Sequence, residues 1–108
     1  MATTIAQWFG DNAKITDGYL SIRLGDLGLE GVSDETINPD QVIAALILNG
    51  QTYQDDNAFN DPTVGALIEE TSQSLYTRGE GVQHIGYIFN VTLFAPSPVS
   101  SLEAKNVV

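Results

Sequence analysis

From His84 to Leu93 the chain alternates: Ile85, Tyr87, Phe89, Val91 and Leu93 are apolar, set against His84, Gly86, Ile88, Asn90 and Thr92. A period of two is the signature of a strand, whose successive side chains point to opposite faces. The segment therefore predicts a long strand, and its odd-numbered face is expected to be the largest apolar contribution to the core. Gly79-Glu80-Gly81 precedes it, so Arg78 to Gly81 reads as the turn of a hairpin. The other arm is ambiguous. Val64, Leu67, Ile68, Thr71 and Leu75 fit a helical face, with Asp61 as cap and Gly79 as stop, whereas the Thr, Ser and Tyr content of 71–77 favours strand. Gly65 and the weak helix formers decide for a strand within 62–78.

A second hairpin is predicted earlier. Asp17-Gly18 separates Ala-Lys-Ile-Thr from Tyr-Leu-Ser-Ile-Arg-Leu, and Asp-Gly supplies the positive φ angles of a type I′ turn, whose twist matches paired strands. Leu20, Ile22 and Leu24 alternate with Tyr19, Ser21 and Arg23, which assigns the leucine face to the core. Glycines at 25, 28 and 31 then interrupt any period, and Leu27, Leu29 and Val32 suggest a structured loop lying over the core. Next comes a helix start: Asn38 as N-cap, Pro39 at the first helical position, Asp40 in the first turn and Gln41 placed to complete a capping box. The run from Val42 to Leu48 is apolar all round, and Asn49-Gly50 is expected to end it. Such a helix must be buried or must dock on something.

These elements predict a small single α+β domain over residues 1–94, an antiparallel β-sheet with hairpins and one short buried helix. A Pro/Ser-containing tail, 95–108, follows and is expected to lie along its own domain or against a neighbouring subunit. With 43 % hydrophobic and 17 % charged residues among 108, the chain has the balance of a packed globule rather than of a disordered one. It contains no cysteine, which excludes disulfide frameworks, thiolate zinc sites and thiol nucleophiles together. Met1 to Phe9 has neither a basic residue nor the apolar core of a signal peptide, and no run approaches a membrane span. The expectation is a soluble protein of the cytoplasm, or one built into a particle assembled there.

Charge adds a constraint on partners. Four Lys and Arg stand against 14 Asp and Glu, a net charge of −10, so direct binding to nucleic acid or to an anionic membrane is not expected. No base lies between Arg23 and Arg78, where Asp26, Glu30, Asp34, Glu35, Asp40, Asp55, Asp56, Asp61, Glu69 and Glu70 all fall. The first five are a candidate acidic surface for a basic partner.

Candidate chemistry is thin. Asp55, Asp56, Asn57, Asn60 and Asp61 offer oxygen ligands in one loop and are the candidate calcium site, but the loop lacks the glycine and glutamate positions of an EF-hand. His84 is the only histidine, and on the less apolar face of its strand it reads as a surface residue. Glu69 and Glu70 are adjacent and diverge in either strand or helix, so they make no acid and base pair. The glycine spacing at 25–31 is no phosphate loop, because no Lys-Ser or Lys-Thr follows it. Asn90-Val91-Thr92 matches a glycosylation sequon by chance, mid-strand. Trp8 and Phe9 read as core anchors. No catalytic set emerges and no cofactor is implied. The reading is a non-enzymatic structural or interaction module that forms a homo-oligomer or docks in a larger assembly, a virion or similar. A calcium-dependent binding domain and an acidic decoy of a basic nucleic-acid-binding surface are its alternatives.

Overall fold

The computed structural model describes residues 4–97 and 101–108. The chain is α+β and divides into two compact units, Met1–Val64 and Gly65–Val108.

The first unit opens with a short helix, α1 (Ile5–Phe9), started by a capping box. Thr4 Oγ1 accepts from the Gln7 amide at 3.2 Å, and the Thr4 amide donates to Gln7 Oε1 at 2.9 Å. The hairpin follows as predicted: β1 (Lys14–Thr16) pairs antiparallel with β2 (Tyr19–Ser21) around Asp17 and Gly18, at φ 53° and 81°. Its leucine face does not belong wholly to the core, because β2 ends at Ser21 and the alternation ends with it. Leu20 remains exposed, while Ile22 and Leu24 are half-buried. Leu24–Leu27 then turns as a 3-10 helix that buries Leu27, so the glycine-rich loop does lie over this unit's core.

Helix α2 (Pro39–Thr52) starts where the sequence places it. Asn38 Oδ1 accepts from the Gln41 amide at 2.9 Å, Gln41 Oε1 accepts from the Asn38 amide at 3.0 Å, and Asp40 lies in the first turn, where the helix dipole favours an anion. The expected stop at Asn49-Gly50 is not one: the helix continues to Thr52. Both residues are instead used to hold α1. Asn49 Nδ2 donates to the Gln7 carbonyl and, at 2.8 Å, to the Trp8 carbonyl, supplying donors to a helix end that would otherwise lack them. Gly50 is buried beneath Trp8, and a Cβ there would stand 2.1 Å from Trp8 Cζ3. Helix α2 buries this inner side, with Ala45, while Ile43 and Leu48 on its outer side remain more than half exposed. The expected burial thus holds for one side of this apolar helix, and the other side is exposed.

The second unit is built on β3 (Ala66–Arg78) and β4 (Val82–Leu93), paired antiparallel about the three-residue turn Gly79–Gly81. The strand within 62–78 is thus confirmed. Register runs from Ala66↔Leu93 to Arg78↔Val82, with a bulge between Glu70 and Ser72. Thr71 is the extra residue, and its Oγ1 donates to the Ile88 carbonyl at 3.1 Å. The tail packs on its own unit: the Phe94 amide donates to the Gly65 carbonyl at 2.9 Å, and the Val108 amide to the Phe94 carbonyl at 3.0 Å. A Cβ on Gly65 would lie 2.1 Å from the Val108 carbonyl oxygen, so the close pass requires a glycine.

Gly50 provides a test of the first unit's packing. In an exposed helix Gly→Ala stabilises by about 1 kcal/mol, whereas forcing a methyl into a filled contact costs ~1–3 kcal/mol. Gly50→Ala is expected to lower the urea midpoint followed by the fluorescence of Trp8, the only tryptophan. A more stable variant would mean that the indole does not cover this position.

Candidate interaction surface

Antiparallel partners share a face, so the register fixes what each side of the ribbon presents. Ile68↔Val91, Glu70↔Phe89, Gln73↔Tyr87 and Leu75↔Ile85 lie on one side with Ala66↔Leu93. Opposite are Leu67↔Thr92, Glu69↔Asn90, Ser72↔Ile88, Ser74↔Gly86 and Tyr76↔His84. The bulge makes this sorting possible. Ile68 and Leu75 are an odd number of residues apart and would point to opposite faces of a regular strand; the extra residue at Thr71 returns both to the β4 odd face.

That face is covered at Ile68, 3 % exposed, and half-covered at Phe89, but open over much of the rest. Leu75 is 65 % exposed, Ile85 and Tyr87 56 %, Val91 51 % and Leu93 47 %. The strand and its alternation are as predicted, but the odd face contributes a surface, not a core. Alternation reports that one side is apolar and is silent on what lies against it. Buried apolar side chains in the second unit are Leu67 and Ile68, at the start of β3; in the first they are Leu27, Ala45, Ala58 and Val64. The tail, with Val107 and Val108, meets Gly65 and Phe94, the residues that flank the open end of the ribbon.

The sequence-predicted site residues lie elsewhere. Asp26 is a structural group: its side chain, 17 % exposed, accepts from Asn12 Nδ2 at 2.8 Å, from the Asn12 amide at 3.3 Å and from Arg23 Nη1 at 2.8 Å. Asp40 serves the α2 start, and Glu30, Asp34 and Glu35 are exposed on the loop before it. In the candidate calcium loop Asp55 Oδ1 accepts from the Asn57 amide at 2.9 Å. Asp61 Oδ1 accepts from the Thr63 amide at 2.9 Å and its hydroxyl at 2.6 Å. Between them Ala58–Asn60 forms a 3-10 turn. Among the described residues no three His, Asp or Glu side chains converge as a metal-holding group. A polar hollow lined by Ala6, Gly10, Asp11, Asp26, Asn49 and Tyr53 has a volume of about 130 Å³, below the roughly 300–1,000 Å³ of ordinary ligand sites. No helix among the described residues is long and apolar enough to cross a membrane.

Comparison with known proteins adds no relative: no family model, no curated protein and no solved structure matches this chain.

The Asp26 cluster predicts a pH dependence. The Asn12 side chain, then Arg23, holds its carboxyl below the ordinary aspartate value of 3.8. Its contribution to stability is therefore complete above that value and lost as pH falls through the lowered folded one. The stability gap between the parent and Asp26→Asn is expected to be constant above about pH 5 and to narrow below about pH 4, read from urea midpoints. A gap independent of pH to the acid limit would rule out the assignment.

Proposed function

We propose that this protein is a non-enzymatic assembly module that self-associates through its long β-ribbon. The observation that carries the reading is the exposed apolar face formed by Leu75, Ile85, Tyr87, Val91 and Leu93. An isolated two-stranded hairpin is marginal in water, and an apolar face or further strands must support it. Contiguous apolar patches, unlike scattered exposed side chains, mark interaction sites. Five half-exposed side chains of this size leave roughly 500 Å² in water, an area in the range of patches that serve as interaction sites.

The charge sets how the association responds to salt. Each copy carries −10, so copies repel at low ionic strength and the apolar face acts at short range, where salt does not weaken it. Sedimentation velocity across a concentration series is expected to give an oligomer that strengthens as salt is raised from 20 to 300 mM, about the range over which screening becomes short. Tyr87→Glu or Ile85→Glu should weaken it tenfold or more, while Ser72→Glu, on the other face, should change it little. A chain monomeric at every concentration and salt would overturn the proposal.

A further inference from the structure

We infer that the partner of β4 is the β4 of a second copy, joined edge to edge and antiparallel about a two-fold axis, so that two ribbons become one four-stranded sheet, β3-β4-β4-β3. This rests on the assembly reading above and specifies its geometry. Over Val82–Leu93 the backbone partners among the described residues are those of β3 alone. The outer edge of β4 therefore presents a row of unpaired amides and carbonyls about 40 Å long. Natural edges of this length are guarded by charges, proline or bulges turned against pairing. β4 has none of these: Val-Gln-His-Ile-Gly-Tyr-Ile-Phe-Asn-Val-Thr-Leu contains no Asp, Glu, Lys, Arg or Pro, in a chain of net charge −10. β3 differs, carrying Glu69, Glu70 and Arg78 and the bulge at Thr71.

The occupant follows from that contrast. A two-fold interface must be complementary to itself, each patch meeting its own copy. Pairing through β3 would line the seam with four carboxylates, whereas pairing through β4 opposes no two like charges. The symmetry also fixes the faces. A two-fold axis perpendicular to the sheet keeps each face on its own side, so odd residues of one β4 stand opposite odd residues of the other. The two apolar faces thus become one continuous surface, on a sheet that has passed from the marginal two strands to four.

Because the chain has no cysteine, single cysteines at exposed Gln83, Asn90 and Thr92 can each carry a spin label, and the distance between identical sites in the two copies can be measured by pulsed electron resonance. Stepping one residue along antiparallel strands moves both labels apart, changing their separation by about 7 Å. The separations at 83 and 92 should therefore add to about 60 Å wherever the axis falls between them, with the 90 separation on the same line. An oligomer whose distances break this relation overturns edge pairing and leaves the assembly reading standing. Labelled chains and parent that both sediment as monomers overturn the assembly reading, and edge pairing with it.

Discussion

A two-stranded ribbon cannot bury its own apolar face, and this constraint governs the second unit. In a sheet, side chains leave perpendicular to the plane, and two strands give no third element to fold back over them. Here large apolar residues, Leu75, Ile85, Tyr87, Val91 and Leu93, stand half-exposed along one face, and the tail returns to the base of the ribbon, where the Val108 amide meets the Phe94 carbonyl. Apolar area buried is the main favourable term in folding, so the ribbon forgoes that gain unless something outside the chain provides it. On the proposed reading, an assembly extends the ribbon into a wider sheet and gathers its apolar faces on one side.

The first unit solves the same problem by another route. Its elements are too short to hold themselves: α1 has five residues, and β1 and β2 have three each, below the length at which helices persist alone. Specific polar contacts substitute for area. Asn49 holds the carbonyls at the end of α1, Gly50 lets Trp8 lie on α2, and Asp26 ties the 3-10 turn to Asn12. Each joins segments distant in sequence, and each uses a small or polar residue where a larger apolar one would be expected from burial alone.

Local chemistry made part of this legible in advance. Asp17-Gly18 imposes its turn through backbone sterics, and Asn38-Pro39 with Gln41 imposes a helix start through hydrogen bonds three residues apart, so both could be read without knowing the fold. The Thr4 and Gln7 pair has the same spacing and was equally readable, but the helix behind it is too short for any hydrophobic period to announce it. Gly50 differs from expectation because a glycine after an apolar run resembles a C-cap; the indole above it, 42 residues away in sequence, explains why it sits inside a helix. The β3 ambiguity has a single cause. A bulge adds one residue to a period of two, and the resulting mixture of even and odd spacings from Val64 to Leu75 imitates a helical face. As for the candidate interaction surface, the residues of the odd face are visible in the sequence, but their exposure is not, because coverage depends on non-local geometry.

The charge distribution then takes on a different meaning from the one its total suggests. An acidic surface gathered between Asp26 and Asp40 would be a binding device, but two of its five members are committed to local structure. β4 itself carries no Asp, Glu, Lys or Arg, although Glu80 precedes it in the turn and Glu69 and Glu70 of β3 pair with its Asn90 and Phe89. Long-range repulsion between like copies and an uncharged edge at short range are not in conflict. The first opposes association by arbitrary surfaces, through a field that acts over about 10 Å at moderate salt, and the second leaves one strip where close approach meets no opposing charge. On the proposed assembly, acidity restricts where two copies can meet, and the neutrality of Val82–Leu93 is the complementary half of the same arrangement.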